Sequence, residues 1–326
     1  MPDRGHIPVM LDECLGVLAP GVRGPGEVYV DCTAGLGGHA AAVGARLASA
    51  GGGTVIINDA DPLNLTRAEA HVREQAGGGV SVHVLTGNFA EVPNKLPLLA
   101  AGVGGGGGSG GLKADMVLAD LGFASTQVDD PARGFSFSQD GPLDMRLDPT
   151  LPVSAADLVN GLPEGELASI IQRFGEDRNA RRIAAKLVRA RAESPISTTG
   201  RLAELVRSAS PGQWGGIDPA TRTFQALRMA VNDEIGSLEA LLGAAVRDAE
   251  RLASKLEATW LKPGARFAVL SFHSLEDRPV KKAVEQIVKL GGEDLTDGPR
   301  VAGEEELSRN PRARSAKLRA VKMPGG

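Results

Sequence analysis

Cysteine and aromatic side chains are both scarce in this chain, which has two Cys, two Trp, one Tyr and eight Phe among 326 residues. Two cysteines, Cys14 and Cys32, cannot build a disulfide framework, and neither has a CxxC partner. A stapled secreted fold is thereby excluded, a structural zinc site is disfavoured, and a reducing compartment fits. Aromatics at 3% leave Val, Leu, Ile and Ala to build the core and argue against a broad platform for stacking many bases. No apolar run approaches the ~20 residues of a membrane helix. The N-terminus shows neither a signal nor an Arg-rich transit pattern, so a cytoplasmic protein with no membrane partner is expected. A formal charge of −4 argues against electrostatic attachment to nucleic acid over the whole surface and leaves only local basic patches. What remains, 42% hydrophobic and 23% charged, is ordinary for a soluble globular chain.

The first third alternates short β-rich runs with helical ones. EVYVD at 27–31, TVIIN at 54–58, VSVHVL at 80–85 and 114–119 read as strands, with an Ala-rich helix at 40–48 and Pro62 suiting the first turn of another. These spacings indicate βαβ units and a parallel sheet. GVGGGGGSGG at 102–111 reads as a flexible surface insertion. From 155 to 208 there is helical periodicity and no convincing strand, as in a helical lobe inserted into the sheet domain. Asp218-Pro219 then reads as a helix start, and Phe224, Leu227, Val231, Ile235, Leu238 and Leu242 recur at helical spacing. A turn at 261–264 leads into a late strand at 266–272, with His273-Ser274-Leu275-Glu276-Asp277 at its carboxyl end.

Strand ends are where open α/β sheets bind ligands. Directly after the fourth strand comes 120–148, DLGFASTQVDDPARGFSFSQDGPLDMRLD, whose density of Gly, Asp and polar residues suggests a reaction centre. After the first strand comes DCTAGLGGH at 31–39, whose glycines permit a tight turn and close approach to a ligand, and Asp59 ends the second strand where a carboxylate receives ribose hydroxyls. Together they imply a nucleoside-bearing cofactor, and both nicotinamide dinucleotides and S-adenosylmethionine satisfy them. A glycine turn that merely tightens a strand–helix connection is the plain alternative.

The rest of the chain bears on that choice. The central helical stretch holds no histidine to donate a proton to a dehydrogenase substrate, but 173–207 carries nine Arg or Lys against four Asp or Glu. On a helix over 178–191, Arg178, Arg181, Arg182 and Arg189 share one side while Ile183, Ala184 and Leu187 face another. A second run, 309–322, has six positive charges and no acid. Solvated surface explains either run by itself. Two basic clusters flanking a cofactor site favour a nucleic-acid substrate. The run at 312–319, with Arg312 and Arg314, reads equally as an RNA contact and as a strand and tail closing the sheet.

Eight ordered segments then carry a resemblance: HIPVMLDECL at 6–15, DCTAGLGGH at 31–39, DADP at 59–62, the stretch 120–148, GEDRNARRIA at 175–184, DPATRTFQALRMAVNDE at 218–234, LSFHSLEDR at 270–278 and NPRARSAKLR at 310–319. The chain resembles the RsmH family, also called MraW. These are S-adenosylmethionine-dependent methyltransferases acting on N4 of a cytidine in the decoding region of 16S ribosomal RNA.

The resemblance implies an α/β fold with a Rossmann-like class I methyltransferase sheet, mostly parallel, and an inserted helical domain. It places the methyltransferase domain at 1–128 and 216–326 and the substrate-recognition domain at 129–215. It also places Gly37, Gly38 and His39 around the methionine part of S-adenosylmethionine, Asp59 on the ribose and Phe89 against the adenosine, with Asp120 and Gln127 completing the pocket. Each has a plain alternative: His39 as a helix cap, Phe89 as core, Gln127 as a turn residue. The chain departs from the family where Phe123-Ala124-Ser125-Thr126-Gln127 stands for the common Val-Ser-Ser-Pro-Gln, where Asp218 stands for a frequent His, and where Pro279 replaces an aliphatic.

Cytosine N4 delocalises its lone pair into the ring, so it needs an acceptor for its proton, whereas a sulfonium methyl needs chiefly alignment. Asp120 is the expected acceptor, with Ser125 and His273 as secondary candidates. Arg178, Arg181, Arg182, Arg312 and Arg314 are the expected RNA contacts, in 16S RNA within the small subunit. No metal site is expected, and homodimerisation is left open. Two rivals stand: a non-catalytic RNA-binding or ribosome-assembly factor, and a nicotinamide-dependent oxidoreductase.

Overall fold

The computed structural model describes residues 7–99, 111–210 and 218–325. Two compact units divide the chain, one of Met1–Gly122 with Gly236–Gly326 and one of Phe123–Ile235. Phe123 to Val128 and the stretch from 218 to Ile235 therefore lie with the helical unit, whereas the sequence places its limits at 129 and 215.

The first unit is built on an eight-stranded sheet: β1 (Glu27–Asp31), β2 (Gly53–Asp59), β3 (Val80–Thr86), β4 (Ala114–Asp120), β5 (Leu261–Ser271), β6 (Glu293–Asp294), β7 (Arg300–Val301) and β8 (Lys317–Lys322). The order is β3-β2-β1-β4-β5-β8-β6, with β7 also on β8. The first five strands in that order run parallel, and β8 is antiparallel to β5. This is the mostly parallel, Rossmann-like sheet expected. Its central strands read as unbroken apolar runs because both faces are covered. Tyr29, Met116, Leu118, Ala268 and Leu270 face one core with the helices Leu11–Leu18, Gly38–Ser49 and Pro62–Ala76. Val30, Val117, Ala119, Phe267 and Val269 face the other with Glu234–Ala253 and Ser274–Lys289.

The four early strands sit where the sequence puts them, β1 unchanged and the other three lengthened by a residue or two. The late strand differs. The turn expected at 261–264 is absorbed into β5: Ala114 pairs with Leu261 but Met116 with Arg266, so the strand bulges around Gly264 at φ 71. The terminal basic run closes the sheet. Arg319 is buried in β8 and its guanidinium donates to Asp277 at 2.7 and 3.3 Å, with Lys317 Nζ on the same carboxylate at 3.2 Å. Arg312 and Arg314 precede β8 and stay exposed.

The second unit is helical around one core. The helices Glu164–Gly175, Ala180–Glu193, Thr199–Ala209 and Ala220–Val231 bury Leu167, Ile171, Ile183, Leu187, Leu202, Val206 and Leu227. The helical repeat read continuously from Phe224 to Leu242 is broken at Asp233, φ 45. Asn232 explains the break: its amide donates to the carbonyls of Met145 and Arg228, both at 2.8 Å, and its Oδ1 accepts from Leu147 N at 2.7 Å. Asp218 caps the last of these helices through Ala220 N at 2.9 Å, but Pro219 occupies the N-cap position rather than the first turn. The Gly-rich segment lies outside the described residues except Gly111.

Candidate active site

The glycine loop after β1 is stitched across three strands. Ala34 N donates to Asn58 O at 2.8 Å, Gly35 N to Asp59 Oδ2 at 2.8 Å, and Thr33 Oγ1 accepts from Asp120 N at 2.7 Å. Gly37, at φ 81, is the N-cap of the helix Gly38–Ser49, which starts with no side-chain cap. A Cβ on Gly37 would stand 2.8 Å from Ala68 Cα, and one on Gly38 2.3 Å from Pro8 Cγ. The tight-turn reading is therefore real for both glycines. The same packing leaves the first-turn N–H groups of that helix without acceptors from their own helix, a setting that suits a carboxylate.

Four acids gather at the strand ends of this unit. Asp31 ends β1, Asp59 ends β2, Asp120 ends β4, and Glu276 lies in the first turn of the helix Ser274–Lys289. Asp31 is buried and accepts from Tyr29 Oη at 3.1 Å and Thr33 N at 3.2 Å; burial still pushes its carboxyl up to about 7. Asp59 accepts from Gly35 N and Asp61 N, both at 2.8 Å, and burial raises it to about 6. Asp120 is raised well above the usual carboxylate range, first by burial and then by the charges of Asp31 and Glu276. Its Oδ1 is buried with no hydrogen-bond partner. Its Oδ2 lies 3.7 Å from Nδ1 of the buried His39, whose Nε2 is 3.0 Å from the Val9 carbonyl. Charge repulsion among these acids is what a positively charged ligand relieves.

The remaining candidates of this unit take mixed positions. Phe89 follows β3, is half-buried and packs against the core, so its plain alternative holds at least in part. Its neighbour Asn88 fixes the loop, donating to Ser237 Oγ at 2.6 Å and accepting from Ala90 N at 2.9 Å. His273 is a helix cap. It is the N-cap of Ser274–Lys289, its Nδ1 accepts from Glu276 N at 3.4 Å, and its Nε2 stands 3.1 Å from Glu276 Oε1. The sequence holds Asp31 and Glu276 inside its motifs at 31–39 and 270–278 and by itself assigns neither a role. The signal for Asp31 was its place as the last residue of a buried strand.

In the helical unit the conspicuous stretch after 130 serves largely its own architecture. Arg133 donates to the carbonyls of Arg146 and Leu147 at 3.0 and 2.9 Å, and Arg146 forms a two-pronged pair with Asp144 at 2.9 and 2.7 Å. Asp140 Oδ1 accepts from Gly200 N at 2.7 Å. The density of special residues is thus partly a folding requirement. Gln127 is buried, and its Oε1 accepts from Ala124 N at 2.9 Å, within the short helix Ser125–Asp129. The side chain of Ser125 lies outside the described residues. Arg178, Arg181, Arg182 and Arg189 are exposed while Ile183, Ala184 and Leu187 are fully buried. No ion pair among the described residues engages those arginines, nor Arg312 or Arg314. Among the described residues no group of acids, His and Cys is placed to hold a metal, and no helix is long and apolar enough to cross a membrane.

Residues 3–323 match the MraW methylase family. Ribosomal RNA small subunit methyltransferase H of Deinococcus radiodurans is 46% identical, over 98% of this chain and 89% of the relative. The protein of that name from Pelobacter propionicus is 44% identical, over 97% of both chains. Among solved structures, the rRNA methyltransferase aviRa of Streptomyces viridochromogenes is similar with a TM-score of 0.38 at 14% identity, covering 99% of this chain and 87% of that one.

Proposed function

The chain belongs to the MraW methylase family, and on that premise we propose that it transfers a methyl group from S-adenosylmethionine to N4 of a cytidine in the decoding region of 16S ribosomal RNA. The observation that carries the reading is Asp120, which bears an acceptor oxygen buried and unbonded at the carboxyl end of a central strand, where ligands bind. The acid cluster fits a cofactor bearing a sulfonium and an ammonium, and the uncapped start of Gly38–Ser49 fits its carboxylate. In this reading Gly37, Gly38 and His39 hold the methionine part, Asp59 the ribose, and Phe89 lies against the adenosine.

When bound, S-adenosylmethionine supplies an electrophilic methyl on positively charged sulfur. The chain's own residues do the rest. Asp120 accepts a hydrogen bond from the N4 amine and then its proton as the new N–C bond forms, so that the amino lone pair leaves conjugation with the ring. Ser125 and His273 remain secondary acceptors, and His273 is the weaker because it already caps a helix. Arg178, Arg181, Arg182, Arg312 and Arg314 contact the RNA backbone.

Purified protein incubated with small ribosomal subunits and methyl-labelled S-adenosylmethionine tests this. Digestion of the RNA to nucleosides should return the label as N4-methylcytidine. Subunit binding without label transfer selects the assembly-factor alternative, and calorimetry showing NADH bound in place of S-adenosylmethionine selects the oxidoreductase.

A further inference from the structure

One aromatic side chain of the helical unit stands apart from the rest. Phe123 is 43% exposed, the single aromatic among the exposed large apolar residues in the described part of the chain. It lies three residues after Asp120 in sequence.

Its surroundings are specific. Phe123 stacks on Phe135 with ring centroids 6.0 Å apart and planes 23° from parallel. The Arg228 guanidinium carbon lies 4.5 Å from the Phe123 centroid, and that of Arg133 lies 5.9 Å from the Phe135 centroid. Both guanidinium groups are pinned, Arg228 by Glu234 at 2.7 and 2.9 Å and Arg133 by two backbone carbonyls. The result is a preorganised set of flat groups, an exposed ring beside two held guanidinium groups, the one on Phe123 paired with Glu234. Protein docking normally uses a contiguous apolar patch. Here the only other large apolar residue exposed in the described part of this unit is Val153. An isolated flat ring beside guanidinium groups suits a polyanion that carries flat bases.

We propose that Phe123 is a stacking surface for one unpaired nucleobase of the RNA substrate, a positioning contact that rests on the RNA-methyltransferase reading above. A base displaced from its helix loses its stacking neighbours, and an aromatic ring replaces them without reading sequence. The ring holds the strand; it takes no part in the chemistry.

Fluorescence anisotropy with a single-stranded RNA spanning the target cytidine tests this on wild type, F123A, F123L and F123Y. A parallel series of RNAs has each base removed in turn. F123A and F123L should bind about tenfold more weakly than wild type, within the range of one base–aromatic stack, and F123Y should bind as wild type does. At one abasic position the loss should vanish, because no base is left to stack. S-adenosylmethionine affinity should not move in any variant. Equal RNA affinity of F123L and wild type overturns the proposal, as does a loss of equal size on every abasic RNA. Wild-type protein that binds no such RNA overturns the stack, and if it also fails to label small ribosomal subunits the functional reading falls with it, whereas wild type that binds and methylates while F123L matches it overturns the stack alone.

Discussion

Nδ1 of His39 faces Oδ2 of Asp120 at 3.7 Å, while Nε2 of the same ring sits 3.0 Å from the Val9 carbonyl oxygen. A carbonyl can only accept, so Nε2 carries hydrogen, and a neutral ring then turns the lone-pair side of Nδ1 toward the carboxylate. Two facing lone pairs repel, so the pair holds one proton between them. Burial, and after it the charges of Asp31 and Glu276, hold the Asp120 carboxyl well above the usual carboxylate range, which favours that proton.

A cationic cofactor competes with that proton. Binding of S-adenosylmethionine at pH 7 should therefore release protons, visible in calorimetry as an apparent enthalpy that depends on the ionisation enthalpy of the buffer. D120N should abolish most of the dependence. A buffer-independent enthalpy for wild type contradicts the shared proton.

D120N should also lower kcat by about a hundredfold, as expected for loss of a proton acceptor, with a much smaller change in cofactor affinity. Stopped-flow or label-transfer kinetics under saturating RNA measure it. A variant that methylates at the wild-type rate removes Asp120 from the chemistry.

Stability of the ligand-free protein should fall as pH rises from about 4 to 7. Asp31 and Asp59 titrate at about 7 and about 6 in the folded chain and at 3.8 when unfolded. Across that window the folded state holds the extra protons, so their contribution is complete below the unfolded value and lost through the folded one. Carboxylates lowered by their partners, such as Asp144 with Arg146 and Asp277 with Arg319, lose their contribution only in more acid solution. Thermal melts should give a higher Tm at pH 5 than at pH 8, and D31N should flatten the difference. An unchanged slope in D31N counts against burial as the cause.

Reversing charge in R181E/R182E should weaken RNA binding while S-adenosylmethionine affinity stays constant. Two lost phosphate contacts should reduce the slope of log affinity against log salt by about 1.4 for single-stranded RNA. Unchanged RNA affinity returns this helix face to solvated surface.

G37A should destabilise the protein by roughly 2 kcal/mol or more, since a Cβ is strained at φ 81 and would stand 2.8 Å from Ala68 Cα. Denaturant unfolding measures this. An unperturbed midpoint contradicts the packing described for the loop.

Much of this architecture is legible in the residues alone. β1, β2 and β4 announce themselves because a strand buried on both faces must be largely apolar, β3 through its β-branched Val80, Val82 and Val84, and the helix Pro62–Ala76 because Asp61 and Pro62 mark its start. The break at Asp233 is not legible, since it depends on Asn232 bonding to Met145 and Leu147, some 85 residues away in sequence. Nor is the bulge at Gly264, where Lys-Pro-Gly reads as a turn and only pairing with β4 makes it strand. At the site, Asp59 and Asp120 are legible as candidates because each follows an apolar run, and each does end a strand. The double use of His273 as a candidate acid–base group and a helix cap shows only in three dimensions, because Ser274–Glu276 has to curl back on it. Sequence likewise could not tell the arginines and aspartates after 130 that brace their own loop from those free to meet a substrate.

The central claim, methylation of one cytidine base in small-subunit RNA, is tested most directly by mass spectrometry of 16S RNA from cells with and without the gene. Loss of a single methyl group from N4 of one cytidine, restored by wild-type protein and not by D120N, is the predicted result. RNA that carries the same methyl groups in both strains, or a loss confined to a ribose or to another base, contradicts the account.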